Sequence, residues 1–169
     1  REEWFYYYGG LLREFISDPK VNADDSNGTQ FYIYEETSKL EALQDAANGF
    51  IASVAQDAET YDVTHQIGIV TFSDSSKIEK SLADVSEQES SLKNVINELN
   101  AGGSTSADEG MADAQSVLED ARGNAQKVVI MFTDGAPTVT SGFSNSVAAN
   151  AVNNANSLKA AGATIFTVG

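Results

Sequence analysis

The chain has 169 residues, with ten basic and 25 acidic side chains and a formal net charge of −15 at pH 7. The length suits one domain with a real core, and the charge argues strongly against nucleic acid or anionic membranes as partners. The sequence has no cysteine, which excludes disulfides and thiolate zinc sites. No apolar run approaches the ~20 residues of a membrane span, so this segment is not expected to enter a membrane.

The first 37 residues differ in character from the rest of the chain. Nine of the 15 aromatic residues lie before position 35. We predict short strands at 4–8 and 31–34, around a polar stretch whose tip is Asn27-Gly28. Two interpretations stay open. The segment is either a ligand-contact surface, since Tyr and Trp dominate binding hot spots, or a locally packed excursion that covers one end of the domain.

A regular pattern begins at Ser38, which forms a capping-box pattern with Glu41. The helix predicted after it turns one apolar face inward. That face consists of Leu40, Leu43, Ala47, Phe50, Ile51 and Val54. Residues 66–72 then predict a central strand, because too few of them are polar for one face to meet water. This strand runs into Ser73-Asp74-Ser75-Ser76.

Three more helices and two more strands follow. The second helix carries Leu92, Val95, Ile96 and Leu99, and the third runs from about 108 to 122. A strand at 128–132, a helix at about 146–160 and a strand at 163–168 complete the pattern. Helices that alternate with short apolar strands indicate an α/β fold, a doubly wound, Rossmann-like and mostly parallel sheet with helices on both faces. The carboxyl ends of its strands meet at one edge, where ligands bind in this fold class.

Two polar motifs are predicted to lie at that edge. Asp134 follows the strand 128–132 within Thr-Asp-Gly, and Thr105 lies in the loop before the third helix. A carboxylate and hydroxyl groups are oxygen ligands for a hard divalent cation. Each motif also has a structural interpretation, because Thr105 and Ser106 can cap a helix and Asp-Gly is a common turn. Asp74 is assigned to the rim, and His65, without a second His or any Cys beside it, does not predict zinc.

The order of these motifs resembles the von Willebrand factor type A domain over about residues 38–169. The resemblance rests on Gly-Ile-Val-Thr-Phe-Ser, Gly-Gly-Ser-Thr, Val-Ile-Met-Phe-Thr-Asp-Gly and Ala-Thr-Ile-Phe-Thr-Val-Gly. It implies a metal-ion-dependent adhesion site in which Thr105 and Asp134 are ligands of Mg²⁺, or of Mn²⁺ or Ca²⁺. The neutral hydroxyl ligands leave the cation enough positive charge to attract an acidic group of a protein ligand.

One motif of the family is not found between Arg1 and Thr37. The family's first metal loop is Asp-x-Ser-x-Ser after a buried strand, whereas Asp24-Asp25-Ser26 is followed by Asn27-Gly28. We expect that strand and motif upstream of Arg1, with 1–37 as an aromatic-rich insertion next to the metal-site edge. An upstream segment would then be needed to complete the fold, and the carboxyl-terminal end is expected to be short as well. The alternatives are that Asp24 and Ser26 form the loop, or that the domain has no metal site.

The sequence predicts a binding module and not an enzyme. It has no phosphate-binding Gly-x-x-x-x-Gly-Lys motif and no Gly-x-Ser-x-Gly elbow. We expect a cell-surface adhesion domain that binds a protein ligand of the host extracellular matrix or cell surface. It resembles surface and pilus-tip adhesins of Gram-positive bacteria, which implies an extracellular location at the cell wall or on a pilus. The alternative is a metal-free scaffold or protein-interaction domain inside the cell.

Overall fold

The structure is a computed structural model of the chain. It describes residues 38–133, 135–139 and 142–168 in full, together with the backbone of four short strands within residues 1–37. The chain divides into two compact units, Arg1–Ser38 and Lys39–Gly169. The assignment of residues 1–37 as an insertion next to a metal site remains a prediction.

The first unit contains two short antiparallel strand pairs. Strand β1 (Tyr7–Tyr8) pairs with β2 (Leu11–Leu12), and β3 (Lys20–Asp24) pairs with β4 (Gln30–Ile33). The strands predicted at 4–8 and 31–34 overlap β1 and β4. Strand β3 was not predicted, because its sequence lacks the apolar run of a buried strand. The predicted turn at Asn27-Gly28 lies outside the described residues.

The second unit begins with a helix, a strand pair and a second helix. All the helices and strands predicted in this unit are present, with ends that differ from the predicted ones by a few residues. The elements are α1 (Lys39–Tyr61), β5 (Gln66–Phe72), β6 (Ser76–Asp84), α2 (Val85–Asn97), α3 (Ala107–Glu119), β7 (Val128–Phe132), β8 (Thr138–Val139), β9 (Gly142–Phe143), α4 (Asn145–Ala160) and β10 (Thr164–Val168). Strand β6 and the β8–β9 hairpin were not predicted. The chain is therefore of the α/β class.

The described strands pair two by two, which differs from the single, mostly parallel sheet that the sequence predicts. Strand β5 is antiparallel to β6, β8 is antiparallel to β9, and β7 is parallel to β10. The first two pairs follow from their short connections, because a tight turn can join neighbouring strands only in antiparallel fashion. The parallel pair uses α4 as its crossover. Within the described residues, β5 and β7 each have one hydrogen-bonded partner.

Helices cover both faces of β5. Ile69 of β5 belongs to a core cluster with side chains of α1 and α2, including Ile51 and the fully buried Leu92. On the opposite face, a Cβ atom built on Gly68 would lie 2.7 Å from Cγ1 of Val117 in α3. The absence of a side chain at position 68 thus lets α3 lie directly on the strand.

One predicted core residue of α1 lies at the surface. Phe50 is 45% exposed, although the sequence pattern assigned it to the inner face. The residues of α1 that pack into the cluster lie at positions 47, 51, 54, 55 and 58. Phe50 lies at the border of this stripe, about 100° around the helix from Ile51, so it is not buried with the stripe.

A second core cluster joins α3 and α4 to the parallel strands. Met111, Leu158 and Ala163 are buried together, with Val129, Met131, Ile165 and Leu118 packed against them. Helix α3 therefore contacts β5 through Gly110 and Val117 and the second cluster through Met111 and Leu118. None of the helices in the described residues is long and apolar enough to cross a membrane.

Candidate functional site

The loop before α3 is fastened to the turn that follows β5. The backbone N–H of Ser106 donates to the carbonyl of Ser73 at 2.9 Å, and its hydroxyl donates to the carbonyl of Asp74 at 3.1 Å. Ser106 is buried, so these two bonds satisfy polar atoms that water does not reach. The end of β5 and the start of α3 are thereby held together.

The same turn also binds the residue before Thr105. The N–H of Ser104 donates to Oδ1 of Asp74 at 2.8 Å. The hydroxyl and the backbone N–H of Ser104 together hold the pKa of the Asp74 carboxyl below its ordinary value, because a hydrogen bond to a carboxylate stabilises the charged form. Asp74 therefore remains ionised at neutral pH.

Thr105 lies between this turn and the segment that follows β7. Its backbone N–H and carbonyl exchange hydrogen bonds of 3.3 Å with Thr138 at the start of the β8–β9 hairpin. A Cβ atom built on Gly135 would lie 3.4 Å from Oγ1 of Thr105. The Thr105 hydroxyl therefore faces the residue that immediately follows Asp134 in the chain.

Asp134 itself lies outside the described residues, but both of its neighbours are described. The N–H of Thr133 donates to the carbonyl of Val168 at 3.0 Å, which continues the β7–β10 ladder by one bond. The Thr133 hydroxyl donates to the carbonyl of Gly135 at 3.2 Å and accepts from its N–H at 3.4 Å. These bonds join Thr133 to Gly135 just after the carboxyl end of β7.

Two strand ends and the Thr105 loop therefore meet, as the sequence predicts for Ser73-Asp74, Thr105 and Thr133. The metal-ligand roles of Thr105 and Asp134 remain predictions. Among the residues that the structure describes, no group of three or more His, Cys, Asp or Glu side chains could hold a metal ion.

Carboxylates on α3 fasten the start of β6 near the same place. Oε2 of Glu109 accepts from the N–H of Ser76 at 3.0 Å, and Oδ2 of Asp113 accepts from its hydroxyl at 2.6 Å. Glu109 and Asp113 are one helical turn apart. Two carboxylates on one face of α3 therefore each accept a hydrogen bond from Ser76. Both carboxylates have a structural use in anchoring the β5–β6 turn.

Some contacts of the site were not predicted from the sequence. The contact of Thr138 with Thr105 has no sequence signal, because it is made by backbone atoms. The position of Asp74 directly after an apolar strand is a signal, but it indicated only a rim or turn residue. His65 lies away from this loop region and its Nε2 lies 2.9 Å from Oδ2 of Asp57.

No curated protein matches the chain. The family model of the von Willebrand factor type A domain matches residues 26–169, which is more than four-fifths of the sequence and includes every element from β4 onward. On this match, the chain belongs to the von Willebrand factor type A domain family.

Proposed function

We propose that this domain binds a protein ligand through a divalent cation held at the edge where the Thr105 loop meets the end of β7. Domains of this family generally mediate protein–protein interaction or adhesion, often with a metal ion. The finer proposal assigns Thr105 and Asp134 as ligands of Mg²⁺, with Mn²⁺ or Ca²⁺ as substitutes. The observation that carries it is the 3.4 Å approach of the Gly135 Cβ position to Oγ1 of Thr105.

The donor chemistry at this place suits a hard cation. The Thr105 hydroxyl makes no hydrogen bond to any described residue, while the backbone groups of Thr105 are occupied by Thr138. Its oxygen is therefore available as a ligand. Asp134 would add a carboxylate oxygen, and oxygen donors of both kinds are the ones that Mg²⁺ and Ca²⁺ prefer. When bound, the cation would supply a positive centre for an acidic group of the partner.

The proposal includes a third loop. That loop is the family's Asp-x-Ser-x-Ser motif, which would follow a further strand. Support comes from β5 and β7, which each have one partner among the described residues and both end at the Thr105 loop. Two ligands alone should bind Mg²⁺ at roughly millimolar affinity or weaker.

The charge of the domain fits a cation-dependent contact. With a net charge of −15, the chain repels acidic partners unless a positive ion lies between them. The adhesion role, a ligand on a host matrix or cell, and a location at the cell wall or on a pilus rest on the resemblance to Gram-positive surface and pilus-tip adhesins. We propose binding and not catalysis for this site.

A metal-free scaffold or protein-interaction domain, located inside the cell, is the second candidate. One observation favours it, namely that the described residues hold no cluster of three acidic or imidazole side chains suited to a metal. In this case the same loops would contact a partner directly, and binding would not depend on divalent cations.

The deciding experiment uses Mn²⁺ as a paramagnetic probe in solution NMR of the full chain. In the wild type, Mn²⁺ should broaden the resonances of Thr105 and Gly135 first. Asp134→Ala should abolish this selective broadening, since the carboxylate ligand that follows β7 is lost, and Thr105→Ala should weaken it. Far-UV circular dichroism should remain nearly unchanged in both variants.

Asp120→Ala is the matched control, because Asp120 is an exposed carboxylate at the end of α3, at the opposite end of that helix from Thr105. This variant should behave as the wild type does. Undiminished broadening in Asp134→Ala would refute the cation site and favour the metal-free scaffold.

A further inference from the structure

The chain on both sides of Thr105 is held by one residue, and we propose that Asp74 is a positioning residue for the Thr105 hydroxyl. This inference rests on the proposed function, in which that hydroxyl is a cation ligand. The Asp74 carboxylate accepts from the N–H of Ser104 at 2.8 Å, and the Asp74 carbonyl accepts from the hydroxyl of Ser106 at 3.1 Å. Asp74 therefore fixes the residue before Thr105 and the residue after it.

The hydrogen bond to Ser104 is of the stronger kind. A backbone N–H that donates to a carboxylate forms a charge-assisted bond, roughly twice as strong as one between neutral groups. Ser104 also lowers the pKa of Asp74, so Asp74 stays charged as the pH falls to the ordinary pKa of an aspartate. The stabilisation of the loop by this bond is fully present above the ordinary pKa of an aspartate, and it is lost as the pH falls below the lowered pKa of Asp74.

Gly103 lets the loop approach the carboxylate closely. Its φ is +80°, in the region that residues with a side chain rarely adopt. A Cβ atom at this position would lie 3.1 Å from Cγ and Oδ2 of Asp74 and 3.1 Å from Cβ of Ser73. Backbone conformation and lack of space both require glycine here, which indicates that the loop is shaped around Asp74.

Asp74 acts on the loop and not on the core. Its side chain is exposed, and neither core cluster includes it. Among the described residues, Thr105 itself is hydrogen-bonded through its backbone to Thr138, at 3.3 Å. Loss of the Asp74 carboxylate should therefore release Ser104 and let the Thr105 side chain move, while the rest of the fold persists.

The test compares three variants of the full chain. Asp74→Ala removes the acceptor for Ser104, whereas Asp74→Asn removes the charge but keeps an oxygen acceptor. Asp84→Ala is the matched control, since Asp84 also accepts one backbone N–H, from Ser86 at 2.9 Å, but does so at the start of α2. The readouts are the order parameter of the Thr105 methyl group, hydrogen exchange of the Ser104 amide and affinity for Mn²⁺.

We expect Asp74→Ala to lower the Thr105 methyl order parameter, to speed Ser104 exchange and to weaken Mn²⁺ binding at least about tenfold, the scale of a lost hydrogen bond to a charged group. Asp74→Asn should keep the methyl order and lose no more than about threefold in affinity. Asp84→Ala should change none of these readouts at Thr105.

Two outcomes would overturn the positioning role. The first is an unchanged Thr105 methyl group in Asp74→Ala, and the second is an equal loss of affinity in Asp74→Asn and Asp74→Ala, which would show that the charge acts directly on the cation. Absence of selective Mn²⁺ binding in the wild type would refute the proposed function instead. In that case the methyl and exchange measurements still decide whether Asp74 orders the loop.

Discussion

The β5–β6 hairpin and the β7–β10 pair are each two strands wide in the described residues, but they are covered very differently. Side chains of α1 and α2 bury one face of β5, and α3 lies on the other. The parallel pair packs Val129, Met131 and Ile165 against the second cluster. On its opposite face, however, Val128, Phe166 and Val168 are all close to half exposed.

This difference shows where the stability of the second unit resides. The first cluster contains six buried residues, two of them with no exposed surface, whereas the second contains three. Parallel strands are usually buried on both faces, so the apolar outer face of β7–β10 departs from the usual arrangement. We expect the first cluster to contribute more to the free energy of unfolding than the second.

The largest expected effect comes from truncating one leucine in each cluster. Leu92→Ala should cost towards the upper end of the roughly 2–5 kcal/mol measured for buried leucines, and Leu158→Ala towards the lower end. Both side chains are almost completely buried, but Leu158 has fewer buried partners and borders an open surface pocket of about 140 Å³. Urea denaturation followed by circular dichroism gives both values. A larger loss of stability for Leu158→Ala than for Leu92→Ala would show that the second cluster contributes more than the first.

A smaller effect on stability is expected where α3 packs on β5. A Cβ atom on Gly110 would lie 2.7 Å from Cδ1 and 3.0 Å from Cγ of Phe72. Gly110→Ala should therefore destabilise by about 1–3 kcal/mol, as overpacked cores do.

Gly49 provides the control, because it lies in α1 and, apart from its chain neighbours and the backbone of its own helical turns, no atom lies within 4 Å of its Cβ position. Gly49→Ala should stabilise by roughly 0.5–1 kcal/mol through helix propensity alone. Thermal melts of the two variants should therefore move in opposite directions, and a shift of the same sign would contradict the close contact between α3 and β5.

The smallest effect is expected on the exposed face of β10. Phe166 is 55% exposed, so Phe166→Ser should change stability by less than about 1 kcal/mol and should raise solubility. Ile165→Ser is the matched neighbour, since Ile165 packs against the second cluster and its loss should cost more. Equal losses at 165 and 166 would show that both faces of β10 are covered in solution.

The elements best predicted from the sequence are those with a strong apolar signal. Strands β5 and β7 and all four described helices of the second unit follow from runs or periodic patterns. Strand β6 was missed because Lys77, Glu79, Lys80 and Ser81 interrupt its apolar residues, and its register against β5 shifts twice. Edge strands of this kind carry charges on one face. An apolar run therefore does not mark them in the sequence.

The candidate site was predictable in its parts but not in its connections. The positions of Thr105 and Asp134 after or between apolar elements indicated loops at one sheet edge. The bonds from Ser106 to Ser73 and from Thr105 to Thr138 are made by backbone atoms, which carry no residue-specific signal. The close approach of Gly103 to Asp74 was not predicted either.

The short turn between β5 and β6 has a consequence for the order in which the domain folds. Contacts between residues close in sequence form early, because little chain entropy is lost in closing a short loop. The hairpin that carries Asp74 is such a local structure, whereas β7 and β10 pair only after the whole of α4 has crossed between them. We expect the Asp74 turn to be in place first, and the Thr105 loop and the segment that follows β7 to pack against it late in folding.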